Sequence, residues 1–175
     1  MKTLYLLRHA KSSWDDNGLE DHERRLNARG IENAERMGQH MRKKSYAPAL
    51  ALCSTATRTR ETLEHLERHL STGHATRYER ALYLATPQQM VQLLRTIDDA
   101  VPSVLIIAHS PGTEGCALLL ARPQGDEAEA GFRAEIEEKY PTAALAVLSL
   151  PAQSWSAIQP DTGTLLDFVR PRDLS

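Results

Sequence analysis

A chain of 175 residues with 41% apolar and 25% charged residues has material for one packed domain of about 150 residues, and it is too apolar for a disordered or low-complexity scaffold. Its formal net charge of −2 argues against a general nucleic-acid coat, which needs a surplus of Lys and Arg. With Cys53 and Cys116 the only cysteines, a disulfide framework is excluded, and no apolar stretch approaches a membrane span. The first residues carry no secretory apolar region, so the expectation is a cytoplasmic protein with neither membrane nor nucleic acid as partner.

The first apolar run, Leu4-Tyr5-Leu6-Leu7, is continuous rather than alternating, which suits a strand buried on both faces. Ile31, Ala34, Met37 and Met41 then recur at three- and four-residue steps with Glu32, Glu35, Arg36 and Arg42 elsewhere on the cylinder, an amphipathic helix. Leu50-Ala51-Leu52-Cys53 is a second continuous run, followed by a candidate helix over residues 59–70. Thr86-Pro87-Gln88-Gln89 reads as a capping box with Pro at the first helical position, opening a helix through Met90, Leu93, Leu94 and Ile97. Val104-Leu105-Ile106-Ile107-Ala108 is the third run, with another helix expected over 115–121. Residues 124–138 are acidic and poor in apolar side chains, so they read as an exposed loop with a short helix. A strand over 144–150 is closed by Pro151, and 155–158 and 165–169 add strands or a tail. The alternation predicts an α/β protein, a three-layer α/β/α domain spanning 1–175 with a mostly parallel central sheet.

In open α/β sheets, ligands bind beyond the carboxyl ends of the strands. The first run is followed by Arg8-His9-Ala10-Lys11, the second by Ser54-Thr55-Ala56-Thr57-Arg58-Thr59, the third by His109-Ser110-Pro111-Gly112. Each exit delivers an Arg or a His. If the strands are neighbours these groups converge, and two Arg forks with two imidazoles would repel one another without a bound dianion. His22, His40, His65, His69 and His74 lack such a context and read as solvated surface residues. His65 and His69 share a helix face, yet their surroundings do not form the zinc-protease pattern. There is no Walker lysine loop, and Gly112 with Gly115 is not a dinucleotide fingerprint. Only four residues separate Cys53 from Arg58, against the five with glycine of a thiol-phosphatase loop, so Cys53 reads as a buried strand residue. Neither metal nor cofactor is expected, and a histidine nucleophile remains.

These segments resemble the histidine phosphatase superfamily, of the phosphoglycerate mutase-like fold, and within it the SixA-like phosphohistidine phosphatase branch. Leu4 through Trp14, with Ala10 after Arg8-His9, resembles the first block. Asp21-His22-Glu23-Arg24-Arg25-Leu26-Asn27-Ala28-Arg29-Gly30 resembles the second, with Arg25 for the usual Pro. Ser54 through Arg58-Thr59 and on to Thr62, the Leu82-Tyr83 pair, the His109-Ser110-Pro111-Gly112 turn with Ser for Asn, and the ending Leu166 to Leu174 complete the series in order.

The resemblance implies a metal-independent phosphatase. His9 would attack phosphorus to give a phosphohistidine intermediate that water hydrolyses. Arg8 and Arg58 would clamp the equatorial oxygens, His109, protonated by the dianion, would be a further donor, and Arg24 would be a third substrate arginine. Lys11 reads as a solvated lysine and Arg29 as a helix-terminus residue. Longer members carry a glutamate that protonates the leaving alcohol; Glu79, Asp21 and Glu114 are the candidate substitutes here. A missing acid suits a P–N bond, so the expected partner is a phosphorylated protein bearing phosphohistidine, in signal transduction. The rivals are a phosphatase of small phosphorylated substrates and a non-catalytic module that binds phosphoproteins.

Overall fold

The computed structural model describes residues 1–71 and 73–174. The chain runs β1 (Lys2–Arg8), α1 (Ala28–Lys43), β2 (Leu50–Ser54), α2 (Thr57–Glu67), β3 (Ala75–Glu79), α3 (Pro87–Leu94), β4 (Ser103–Ala108), α4 (Gly112–Leu120), α5 (Glu127–Glu138), β5 (Leu145–Leu150) and β6 (Thr164–Val169). These strands form one sheet in the order β3-β2-β4-β1-β5-β6. The β3, β2, β4 and β1 strands pair in parallel, while β5 runs antiparallel between β1 and β6. The result is the expected α/β architecture with a mostly parallel sheet.

The continuous apolar runs are strands covered on both faces, because successive side chains point to opposite sides of a sheet. Leu4 and Leu6 of β1 pack with Met90, Leu94 and Leu120 on one face. Tyr5 and Leu7 pack with Met37, Met41, Leu63 and Leu66 on the other. One layer is therefore built from α1 and α2, and the opposite layer from α3, α4 and α5. The Thr86 capping box is complete: its hydroxyl accepts from the Gln89 N–H, and the Gln89 side chain accepts from the Thr86 N–H.

Several elements differ from the sequence reading. Within residues 124–138, Glu127–Glu138 form a twelve-residue helix rather than a loop with a short one. Asp126 caps it by accepting from the Glu129 N–H, and the buried Glu129 carboxylate accepts two bonds from Arg122, at 2.8 and 2.7 Å. Only Ile136 reaches the core fully and Phe132 partly, so the apolar periodicity is faint while the cap and ion pair hold the helix. The β3 strand went unrecognised because it lies at the sheet edge and its residues are mostly exposed. Trp155 begins a short 3-10 turn, not a strand; its ring is buried and its indole N–H donates to the Val101 carbonyl at 2.7 Å. Both α2 and α4 begin two or three residues earlier than expected, which brings Arg58 and Gly112 onto helices.

Candidate active site

The order β2-β4-β1 makes the three exits neighbours. Arg8 lies beside Ala108 and Cys53 beside Ile107 in the registers, so the loops leave the sheet at one level. The His9 N–H still donates to the Ala108 carbonyl, at 3.0 Å, holding the imidazole against β4. Thr62, on α2, ties two exits together: its hydroxyl accepts from the Ala10 N–H at 2.9 Å and donates to the Arg58 carbonyl at 2.6 Å. Gly30 lets α1 dock here, since a Cβ at that position would collide with the Lys11 carbonyl.

His9 is only 8% exposed, and its Nδ1 lies 2.7 Å from the Ala10 carbonyl oxygen. A carbonyl only accepts, so Nδ1 carries the proton and Nε2 keeps its lone pair. Burial above all, then the Arg58, Arg8 and Arg24 guanidinium groups, lower the imidazole pKa to about 4, against the opposing pull of the Ala10 carbonyl. The ring is neutral at pH 7, the form a nucleophile requires.

His109, 3% exposed, stands with its ring centroid 5.4 Å from that of His9. Its Nε2 is 2.7 Å from the Ser54 hydroxyl, which itself accepts from the Ala56 N–H at 3.4 Å. The Ser54 hydroxyl can donate one proton and accept two, so the ring tautomer sets which partner donates in this bond. Burial first, then Arg58 and His9, lower the His109 pKa to about 3. The free protein therefore holds a neutral ring.

A pocket of about 230 Å³ opens beside these rings, lined by Arg8, His9, Lys11, Ser12, Arg24 and Arg58 among others. Arg8 donates to the Tyr140 carbonyl at 2.9 Å. Arg58 donates to the Asp21 carbonyl at 2.7 Å and to its carboxylate at 3.1 Å. Arg24 donates to the same carboxylate at 3.0 Å, bonds Ser12, and stacks its guanidinium 3.2 Å over the Trp14 ring. Among the described residues, Arg8 Nε, Arg58 Nε and His109 Nδ1 are three of the buried side-chain nitrogens without a partner. Buried polar atoms are ordinarily paired, so three in one neighbourhood, two of them guanidinium donors, mark a place for acceptor oxygens.

The structure brings Arg8, His9, Arg24 and Arg58 to one pocket, with His109 behind them. It changes the standing of other residues. The Asp21 carboxylate accepts from Tyr83 at 2.5 Å as well as from Arg58 and Arg24, and together they lower its pKa to about 2. A carboxylate held ionised in this way is a poor proton donor in the free protein. Glu79 ends β3 in an ion pair with Arg77. Glu114 sits on α4 with one oxygen accepting from Ser110 at 2.5 Å and the other buried without a partner. His22 is not a solvated residue: Nε2 meets the Thr55 hydroxyl at 2.9 Å and the ring stands edge-on to Tyr83 at 4.8 Å. Tyr83 itself lies 5.4 Å from the His109 ring, a neighbour that only the Leu82-Tyr83 pair hinted at. Cys53 is a fully buried strand residue as expected, and burial pushes its thiol up to about 12.

Residues 4–82 match the family model of the histidine phosphatase superfamily (branch 1). A protein of Agrobacterium tumefaciens assigned as the phosphohistidine phosphatase SixA is 30% identical in a crystal structure that superposes with a TM-score of 0.78, covering 97% of this chain and 98% of that one. The chain belongs to the histidine phosphatase superfamily. It is a phosphatase of the SixA-like branch. The uncharacterized protein Rv1276c of Mycobacterium tuberculosis is 37% identical over 166 residues, 95% of this chain and 100% of that protein. The protein histidine phosphatase SixA complexed with tungstate, at 19% identity and a TM-score of 0.78 over 99% of both chains, shares the fold of this histidine phosphatase.

Proposed function

We propose that the enzyme hydrolyses phosphohistidine on a protein, with His9 as nucleophile and Arg8, Arg24, Arg58 and His109 as donors to the phosphoryl oxygens. The observation that carries this reading is the neutral His9 with a free Nε2 beside three buried, unpartnered nitrogens. Nε2 forms a bond to phosphorus as the bond from phosphorus to the substrate imidazole nitrogen breaks, and that imidazole departs with a proton of its own or from solvent. Water then attacks phosphorus, the P–Nε2 bond breaks, and inorganic phosphate leaves with His9 restored. The guanidinium groups compensate the charge on the transferring oxygens, the place where stabilisation counts most in phosphoryl transfer.

The substrate class follows from leaving-group chemistry. An ester oxygen leaves as an alkoxide unless an acid protonates it, whereas an imidazole nitrogen leaves readily once protonated. Asp21 is held ionised, which favours the P–N substrate. A small phosphomonoester is the second reading, and the buried Glu114 oxygen is the observation that favours it.

The test is kcat/KM on a phosphohistidine-bearing protein and on a panel of phosphomonoesters, in EDTA, with His9→Ala as control. Preference for the P–N substrate by tenfold or more, abolished in His9→Ala, is the expected outcome. A preference for an ester moves the enzyme to the second reading, and substantial turnover by His9→Ala removes the nucleophile assignment.

A further inference from the structure

A second cavity, about 450 Å³, adjoins the phosphoryl pocket, and the two share Arg8, Lys11 and Thr142 in their walls. Beyond that shared wall it is lined by Arg29, Lys139, Arg170 and Arg172, with Glu138 as its carboxylate. Six cations thus face one acid in a protein whose net charge is −2. Arg170 is committed to Asp173 at 3.0 Å and Glu135 at 3.3 Å. Lys11, Arg29, Lys139 and Arg172 are exposed and, among the described residues, make no side-chain ion pair. Cations elsewhere on the surface are mixed: Arg25, Arg68, Arg77 and Arg122 are each paired with a carboxylate, while Arg42, Lys43 and Lys44, among the described residues, are not; what sets this group apart is its place in a cavity that adjoins the phosphoryl pocket. Arg29 is placed against its own helix: it lies in the first turn of α1, where no acidic residue balances it and the positive end of the helix dipole disfavours a cation. Four unpaired cations, held together against mutual repulsion in a concavity continuous with a phosphoryl pocket, constitute a site for negative charge.

We propose that this cavity binds a second anionic group of the substrate. It takes the phosphoryl pocket on His9 as given and adds a requirement on the molecule that enters it: a carboxylate or phosphate adjoining the phosphoryl group. On a phosphohistidine protein that group is an acidic side chain flanking the modified residue. The cations of the cavity hold it by charge in the open, so the contribution enters through KM and weakens with salt.

The probes are inorganic. Orthophosphate is a probe for the phosphoryl pocket alone, while pyrophosphate carries the second anionic group that the proposal assigns to the adjoining cavity. Inhibition of p-nitrophenyl phosphate turnover by each is compared for the wild type and for Lys139→Gln/Arg172→Gln, two exposed positions outside the phosphoryl pocket. The expected result is stronger inhibition by pyrophosphate in the wild type. The double variant loses about fivefold or more of that preference, the scale of two exposed ion pairs, while orthophosphate inhibition and basal kcat stay unchanged. Equal inhibition by the two anions, or a preference that survives in the variant, overturns the proposal. A second arm compares phosphohistidine peptides with acidic and with neutral flanks. A lower KM for the acidic flank, lost in the variant, makes the anion a protein side chain; a pyrophosphate preference without a flank effect makes it part of a small polyanion. Failure of every phosphohistidine peptide to react sinks the phosphohistidine reading alone, because the comparison of the inorganic anions decides the second site independently.

Discussion

At the scale of single residues, the site depends on which atoms are left without partners. Arg58 has both terminal nitrogens on Asp21 and its Nε free and buried, so its fork is fixed before any ligand arrives. Such preorganisation lets a donor stabilise developing charge without reorganising during the reaction. Arg58→Ala is expected to lower kcat about 10²- to 10³-fold, as for the loss of one such donor, with turnover of the P–N substrate as the readout. An unchanged kcat would mean that the second strand exit does not touch the phosphoryl group. The positions of Arg8, His9, Arg58 and His109 are legible because each ends or directly follows a buried strand or opens the helix after it. The surroundings of Asp21 and His22 are not. Their block carries no apolar periodicity, and only the fold shows it laid across Arg58, Thr55 and Tyr83.

At the scale of elements, the apolar strands and capped helices could be read directly because burial writes periodicity into the sequence. The capping box at Thr86 is a local device, and Thr86→Ala should cost about 1 kcal/mol of stability in a denaturant titration while leaving activity intact. Gly30 is different in kind. It lies on α1 yet touches the Lys11 backbone two residues past His9, where any Cβ must push one segment or the other. Gly30→Ala is therefore expected to destabilise by about 1–3 kcal/mol, as overpacking does, and to lower kcat through the displaced Lys11 segment. A variant with wild-type Tm and kcat would show that the contact is dispensable. The sequence reading shortens α5 and omits the edge strand β3 for one reason. Neither buries a full apolar face, so a cap, an ion pair and a neighbouring strand hold them instead.

At the scale of the whole molecule, a chain of slightly negative net charge gathers cations around one end of its sheet, and two neutral histidines lie buried among them. Both have folded-state pKa values, about 4 and about 3, below the unfolded value of 6.5. The unfolded chain binds more protons in that interval, so stability rises with pH there and is lost as pH falls from about 6.5 towards 4. A Tm profile should decline through this window by the equivalent of about 3 kcal/mol or more, and His9→Gln should flatten part of it. A flat profile between pH 6.5 and 4 would mean that the two rings are not held neutral. The apolar strands, most of the helices and the loops that carry Arg and His are legible in the sequence alone, because burial and capping are local signals written at fixed spacings. Only the folded chain shows that β2, β4 and β1 are neighbours, that Asp21 is an ionised partner of Arg58, and that Lys11, Arg29, Lys139 and Arg172 share a cavity. Those facts depend on distances between residues far apart in the chain, and charge at such distances leaves no periodicity to read.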